Sequence, residues 1–251
     1  LAGSFLVGSS WYLYSEELVL IDVTYPGIVT VAVYSVLTFS NYMREAQEKK
    51  QVRGAFAQYL SPALVEQLAD EPDRLQLGGE TKEMTFLFCD VRGFTQLSAA
   101  LPRQQLLDLL NDSFEEIVHG LHTHGGQVLK FMGDGLLAVF TGEDEGAACR
   151  SAADAVTTVQ RRLAALTVRR SKHGLPTADV GIGLHFGDVT YGNIGAPARL
   201  DFTVIGSAVN LAARVESLCG VLGVSALSTE AFASRANAGW TKQGEHSVKG
   251  V

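Results

Sequence analysis

The chain of 251 residues is 47% hydrophobic and 19% charged, with a formal net charge of −7 and a mean hydropathy of +0.14. The acidic balance argues against a protein that binds nucleic acid through its phosphates. A positive mean hydropathy beside this net charge suggests that two kinds of sequence have been averaged. The three cysteines are widely spaced and form no CxxC pair, which indicates reduced thiols rather than a disulfide framework or a zinc site.

The apolar excess lies at the start of the chain. Residues 1–43 contain three acidic residues and no lysine or arginine, and 23–39 are an uncharged run of 17 residues. Such a run is at the short end for a membrane helix, and 1–14 could be the end of a second span. A buried β-rich segment is the alternative, since Val, Thr and Tyr favour strands. Four basic residues follow directly and place that side in the cytoplasm by the positive-inside rule: Arg44, Lys49, Lys50 and Arg53.

A helical linker is expected over 44–79. Residues 42–60 are rich in helix formers with apolar residues at helical spacing, and Ser61-Pro62 predicts the start of a further helix over 63–69. Gly78-Gly79 ends the linker, so the soluble domain is expected to occupy 80–251.

Within 80–251 the apolar pattern alternates between strand and helix periods. The pattern predicts a strand at 84–89, a helix at 104–121, a hairpin of 127–132 with 136–140, a helix at 147–166, a second hairpin of 179–186 with 189–194 across Gly187-Asp188, a helix at 207–218, a short apolar run at 224–227, a helix at 229–235 and a strand at 246–249. This order predicts an α+β fold in which helices cover one face of a mixed sheet.

Two acidic residues stand where strands end. Asp90 follows the first strand, and the Gly93-Phe94-Thr95 turn after it opens a helix whose backbone N–H groups can hold phosphate oxygens. Asp134 stands at the tip of the first hairpin. Each could by itself be an ordinary cap or turn residue. Together they could converge on a pair of Mg²⁺ ions.

Four further polar residues are candidates for contact with a ligand or substrate. Lys130 lies inside an apolar strand, where an ammonium group is costly without a partner. Asn210 and Arg214 are four residues apart in one helix, so both can reach the same ligand, although a surface helix with a solvated arginine has the same pattern. Lys249 lies near a strand end, where a lone lysine is usually exposed to solvent.

Four ordered segments resemble the successive motifs of class III nucleotide cyclases. They are FLFCDVRGFT, GGQVLKFMGDGLLAVF, GIGLHFGDVTYGNIG and DFTVIGSAVNLAARVE, and they cover most of 80–251. The resemblance implies a ferredoxin-like cyclase domain. It also implies that Asp90 and Asp134 bind two divalent cations, Mg²⁺ or Mn²⁺, together with the backbone carbonyl of Val91.

The same resemblance assigns the remaining site residues. Lys130 and Thr203 match the two residues that select the base, and Asn210 matches the residue that orients the ribose. Arg214 would stabilise charge on the reacting phosphate, and Lys249 would contact the triphosphate. Many members of the family have Asp where this chain has Thr203. Thr at this position makes the chain similar to the bicarbonate-responsive adenylate cyclases. Guanylate cyclases usually pair Glu with Cys at the two base-reading positions, so ATP is favoured here.

The resemblance therefore implies an adenylate cyclase that converts ATP to 3′,5′-cyclic AMP and pyrophosphate. It implies a head-to-tail homodimer in which the aspartates of one subunit face the base-reading and phosphate-binding residues of the other. We expect a membrane-anchored protein with a cytoplasmic catalytic domain whose last strand, just beyond Lys249, is truncated. The alternatives are a guanylate cyclase and a catalytically silent nucleotide-binding sensor. A diguanylate cyclase would need a GGDEF-type hairpin, which this chain lacks.

Overall fold

The computed structural model describes residues 2–17, 24–56, 78–142, 144–196, 199–237 and 239–248. Contacts divide the chain into two compact units, Leu1–Val65 and Glu66–Val251. The helix expected at 63–69 lies outside the described residues. The domain boundaries expected at 43 and 79 stay predictions.

The first unit contains two helices, α1 (Ala2–Glu17) and α2 (Thr24–Phe56). Helix α2 covers the apolar run from residue 24 onward and most of the segment predicted to be helical at 42–60. The membrane span predicted within 1–43 finds no support, because no helix among the described residues combines the length and the apolarity needed to cross a membrane. Thr30 and Ser35 interrupt the apolar run of α2, where their hydroxyls donate to the carbonyls of Pro26 and Val31 at 2.7 and 2.8 Å.

The second unit is an α+β domain, as predicted. Its elements are β1 (Gly78–Val91), α3 (Phe94–Ala100), α4 (Arg103–Thr123), β2 (Gln127–Met132), β3 (Gly135–Phe140), α5 (Glu145–Lys172), β4 (Val180–Ala196), β5 (Arg199–Ile205), α6 (Ser207–Leu222), β6 (Ala226–Ser228) and α7 (Glu230–Ala236). Among the described residues the strand order is β2-β3-β1-β4-β5, and these neighbours are all antiparallel. Strand β6 pairs with β4 in parallel, so the sheet is mixed.

Helices cover both faces of this sheet, whereas the sequence pattern predicted cover on one face only. Leu87 and Cys89 of β1 pack into a core with residues of α4, α5 and α7. Met84 and Phe86, which alternate with them, pack on the other face with Ala208 of α6. Because successive side chains of a strand point to opposite faces, a strand that is apolar at nearly every position needs cover on both sides.

The second hairpin was predicted at the wrong place. Gly187 and Asp188 do not form a turn but continue β4, in register with Met84 and Glu83 of β1. The hairpin partner of β4 is β5, which begins at Arg199. A Cβ atom at position 187 would stand 2.8 Å from Nε2 of His185 and 3.2 Å from Cβ of Ala208, so any other residue would force the imidazole ring to move. A close side-chain approach, rather than a turn, explains the glycine.

The strand expected at 246–249 is not present in the part of it that the structure describes, because residues 246–248 pair with no strand among the described residues. The segment after α7 instead places Trp240 edge-on against Phe232, with ring centroids 5.7 Å apart. Apolar alternation indicates a strand only where a neighbouring strand offers its hydrogen bonds.

Candidate active site

The two strand-end aspartates lie together, as the sequence predicts. Asp90 is the register partner of Gly135, the first residue of β3, and the backbone N–H of Val91 donates to the carbonyl of Asp134 at 3.2 Å. Gly133 has a φ of +68°, which a two-residue hairpin loop demands of its first residue and which glycine adopts without strain. A Cβ atom at Gly135 would stand 2.8 Å from Oδ1 of Asp90. The hairpin tip is therefore packed directly against the end of β1.

The electrostatics of the pair favour a bound cation. Burial, and then the charge of Asp134, raise the pKa of Asp90 from 3.8 to about 6, while the backbone N–H of Val91 opposes the rise. A side-chain hydrogen bond between Asp90 and Asp134 raises the pKa of Asp90 further. Two carboxyl groups this close repel each other when both are ionised. A divalent cation would relieve that repulsion.

The turn after Asp90 has the backbone expected of a phosphate-binding loop. Gly93 caps α3 with a φ of +65°, and its carbonyl accepts from the N–H groups of Gln96 and Leu97, both at 3.0 Å. The N–H groups of Phe94 and Thr95 precede these first helical bonds, so they are the donors that the helix leaves for a ligand. Their proposed contact with phosphate stays a prediction.

The two proposed base-reading residues lie on the outer strands of the order β2-β3-β1-β4-β5. Lys130 is half-buried on β2, directly after a bulge that shifts the register between Val128 and Lys130. Bulges beside active sites re-aim side chains. Thr203 is buried on β5, opposite Gly192 of β4. Three strands separate the two residues in the sheet order, so they are not neighbours in the ladder.

Helix α6 presents Asn210 and Arg214 on the side away from the sheet. Asn210 is exposed and Arg214 is partly exposed, whereas the residues of α6 that face the sheet are buried: Ala208, Ala212, Val215, Glu216 and Cys219. The prediction that Asn210 and Arg214 share a helical face is confirmed. Val209 and Leu211, which lie between these two faces, are only partly buried. Lys249 lies outside the described residues.

Two residues beside the carboxylate pair were not predicted from the sequence. Glu216 is only 7% exposed. Burial and then the charge of Asp90 raise its pKa to about 7, while the Arg92 guanidinium opposes the rise. The backbone N–H of Arg92 donates to the carbonyl of Asp179 at 2.8 Å, and its Nη2 donates to the carbonyl of Val224. The alternating glycines Gly181-Ile-Gly183 were the signal in the sequence, since such glycines mark a close approach to a strand.

Comparison with known proteins identifies the family. A family model described as the adenylate and guanylate cyclase catalytic domain matches residues 78–251. The chain belongs to this family. The match begins at the first residue of β1 and includes every motif discussed above.

Known relatives of this cyclase domain include both adenylate and guanylate cyclases. An adenylate cyclase of Anabaena cylindrica is 34% identical over 187 residues, which cover 72% of this chain and 36% of that protein. A bacterial light-regulated adenylyl cyclase of known structure is 26% identical with a TM-score of 0.68, over 82% of this chain and 60% of that one. The guanylyl cyclase Cya2 is 28% identical with a TM-score of 0.62, over 70% of this chain and 89% of that one. The chain spans about a third of the length of the curated relatives it matches.

The donor set fits a hard divalent cation. The carboxylates of Asp90 and Asp134 and the carbonyl of Val91 would supply oxygen ligands, which Mg²⁺ and Mn²⁺ prefer. Within the described ranges, no group of three or more His, Cys, Asp or Glu residues is arranged to hold a metal ion. Water and substrate phosphates would therefore have to complete the coordination, as is usual for Mg²⁺ at nucleotide sites.

The raised pKa of Asp90 predicts a trade-off between stability and cation binding. The folded protein holds the Asp90 proton up to about pH 6, whereas the unfolded chain releases it near pH 3.8, so stability from this group is lost as the pH rises through that window. Asp90→Asn should therefore raise the unfolding temperature of the metal-free protein at pH 7.5 and have little effect at pH 3.5. A gain of about 2–4 °C would correspond to about 1 kcal/mol in a domain of this size.

Thermal unfolding with and without Mn²⁺ checks this trade-off. With Mn²⁺ present the order should reverse, because the wild type gains stability from the bound ion and the variant does not. A variant that melts below the wild type at pH 7.5 without metal would contradict the prediction.

Proposed function

We propose that the domain is an adenylate cyclase, which converts ATP to 3′,5′-cyclic AMP and pyrophosphate at a site shared between two copies of the chain. The observation that carries the proposal is the Asp90–Asp134 carboxyl pair, which the pairing of Asp90 with Gly135 and the hydrogen bond from Val91 N–H to the Asp134 carbonyl bring together where β1 and the β2–β3 hairpin end. In a domain of this family, such a pair of oxygen ligands is suited to cations that accompany a nucleoside triphosphate. The adenylate cyclase relative supports ATP as the substrate.

The direction of Arg214 supports a site shared between subunits. Glu216 faces the sheet, where its carboxyl lies over Gly181, the register partner of Asp90. Residues two apart in a helix point about 200° apart, so Arg214 points away from the carboxylate pair of its own chain. A second copy, arranged head-to-tail, would bring its Arg214 to this pair. Two-fold symmetry would then create two equivalent sites.

Exposed apolar residues on the outer strands support the same dimer. Phe131 and Met132 at the end of β2 are 55% and 38% exposed, and Ile205 at the end of β5 is 54% exposed. Large apolar side chains are more frequent at the core of an interface between subunits than on the rest of a protein surface. These residues flank Lys130 and Thr203, so an interface here would also enclose the proposed base-reading residues.

The proposed reaction is an attack of the ribose 3′-oxygen on the α-phosphorus of the same ATP molecule, with pyrophosphate leaving. Such phosphoryl transfer depends on positioning and on charge stabilisation. Asn210 would orient the ribose, and the Arg214 guanidinium would meet charge that develops on the α-phosphoryl oxygens. Cations at Asp90 and Asp134, when bound, would lower the pKa of the 3′-hydroxyl and neutralise the other phosphates. The Phe94 and Thr95 N–H groups would bind phosphate oxygens.

The proposed function is tested with the full chain and Mn²⁺ or Mg²⁺. Nucleotide products are separated after incubation with ATP or with GTP, and cyclic AMP from ATP is the expected product. Preferential formation of cyclic GMP would favour the guanylate cyclase alternative, which the likeness to Cya2 keeps in view. No cyclic product from either nucleotide, with a folded dimeric protein, would favour the silent sensor.

Base selection should depend on Lys130 and Thr203. The double variant Lys130→Glu, Thr203→Cys should raise the ratio of kcat/KM for GTP to that for ATP by about 10²-fold, because hydrogen bonds to a base discriminate strongly when a mismatch leaves buried groups unpaired. The ratio is measured from initial rates with each nucleotide. Lys82→Glu on β1, which changes an exposed lysine that pairs with Glu80 at 2.9 Å, is the matched control and should leave the ratio unchanged.

The location of the protein stays a prediction. We propose, from the basic residues after position 43, that the catalytic unit lies on the cytoplasmic side of a membrane. When cells that express the full chain are fractionated, we expect the protein in the membrane fraction. Recovery in the soluble fraction without detergent would contradict this proposal.

A further inference from the structure

Glu216 is the one charged residue among the buried residues of α6. Its carboxyl lies over β4 at Gly181, where a Cβ atom would stand 2.0 Å from Oε1 of Glu216. Gly181 is the register partner of Asp90 in β1. The helix α6, which carries Asn210 and Arg214, thus places the buried Glu216 carboxyl against strand β4, beside the end of β1 where the proposed cation ligand Asp90 lies. Gly181 leaves room for this carboxyl because it has no side chain.

The Arg92 side chain approaches the same point of β4. The same Cβ position at Gly181 would stand 3.5 Å from Nε of Arg92, so the guanidinium and the carboxyl both lie close to one point of β4. Nη2 of Arg92 donates to the carbonyl of Val224, and the backbone N–H of Arg92 donates to the carbonyl of Asp179. Nε is buried and has no hydrogen-bond partner among the described residues. A buried N–H without a partner is costly, and the acceptor placed to receive it is Glu216.

We propose that Glu216 is a positioning residue, which acts through Arg92 to hold the turn from Asp90 to Gly93 in the conformation that binds the cation. This inference rests on the proposed function, because it concerns the same cation site. Arg92 lies two residues after Asp90, its Nη2 donates to the carbonyl of Val224, and its Nε lies near the Glu216 carboxyl at Gly181. The pair therefore connects α6 to the metal-binding turn. Residues that orient the ligands of a metal typically change its affinity by 10-fold to 100-fold when they are substituted.

Positioning and simple charge make opposite predictions for Arg92. Glu216→Gln removes a negative charge near the site, so either role predicts weaker cation binding. Arg92→Met removes a positive charge, which by electrostatics alone should tighten cation binding. If Arg92 holds the turn, its loss should weaken binding instead. The two residues should then also be non-additive, since each acts through the other.

The experiment measures Mn²⁺ binding to the full chain without nucleotide, from the electron paramagnetic resonance signal of free Mn²⁺. We expect Glu216→Gln and Arg92→Met each to raise the Kd for Mn²⁺ by about 10-fold, and the double variant to raise it by about the same factor. Glu115→Gln, which removes an exposed carboxylate from α4, is the matched control and should bind as the wild type does. Circular dichroism confirms that each variant is folded.

Three results would overturn the inference alone: an unchanged Kd in Glu216→Gln, a lower Kd in Arg92→Met, or effects that multiply in the double variant. If Arg92→Met does not fold, Arg92→Lys replaces it. Lysine keeps the charge but lacks the planar fork that can donate to two acceptors in different directions, so the Kd should still rise. A wild type that binds no Mn²⁺ would overturn the proposed cation site, and with it this inference.

Discussion

Asp90→Ala and Arg214→Ala should each lower cyclase turnover by about 10²-fold or more, and an equal mixture of the two variants should recover about a quarter of the wild-type activity. In the proposed mechanism each variant loses a charge that faces the reacting phosphates or their cations, so each should be nearly inactive. Recovery follows from symmetry. Random exchange makes half of the dimers mixed, and each mixed dimer has one complete site and one that lacks both groups. Initial rates of cyclic AMP formation, measured after subunit exchange, give the recovered fraction.

A second mixture controls for non-specific recovery. Asp90 and Asp134 belong to the same half of the proposed site, because both lie at the junction of β1 with the β2–β3 hairpin. A dimer of Asp90→Ala with Asp134→Ala therefore has no complete site, and this mixture should stay inactive. If mixed dimers of Asp90→Ala and Arg214→Ala form but show no activity, the shared site is wrong. Activity in the control mixture would be equally damaging.

Gly183→Ala should lower both stability and turnover, although residue 183 contacts no substrate in the proposed mechanism. A Cβ atom there would stand 2.3 Å from the carbonyl oxygen of Ala212 and 2.4 Å from the backbone nitrogen of Glu216. Backbone atoms of a helix cannot turn aside as a flexible side chain can, so α6 has to move away from β4. Overpacking of this kind costs about 1–3 kcal/mol. A shift of about 1 Å in the helix that carries Asn210 and Arg214 can cost about 10²-fold in rate.

Gly220→Ala is the matched control for this prediction. Gly220 lies in the same helix, and a Cβ atom there meets nothing within 4 Å. Alanine is preferred to glycine inside a helix by about 0.5–1 kcal/mol, so this variant should be slightly more stable than the wild type and equally active. Denaturant unfolding and initial rates are measured for both variants. A Gly183→Ala protein that unfolds at the wild-type denaturant concentration would show that α6 does not rest on β4 as described.

The sequence was sufficient to predict the relative positions of residues that short-range periodicity determines. Asp90 and Asp134 each stand where an apolar strand of the sequence pattern ends. Strands β1 and β2 both pair with β3, so the two strand ends lie close together in the sheet. Asn210 and Arg214 share a face because helical spacing alone decides it. These relationships depend on short-range periodicity, which a sequence displays directly.

The sequence was misleading where a residue serves a distant neighbour. Gly187-Asp188 has the composition of a turn, yet the glycine makes room for His185 within one long strand. Glu216 reads as a polar residue at the end of a helical motif, and only the docking of α6 on Gly181 and Gly183 shows it to be buried. Cover on the second face of the sheet was missed for the same reason, since α6 reaches that face only through tertiary packing.

Strand β1 runs without interruption from Gly78, where the expected linker ends, to Asp90, and it is hydrogen-bonded to β4 along its whole length. A strand of this length spans roughly 45 Å. No loop intervenes that could absorb a displacement applied at Gly78. A displacement applied at Gly78 would therefore be transmitted along the backbone of β1 towards Asp90, the proposed cation ligand.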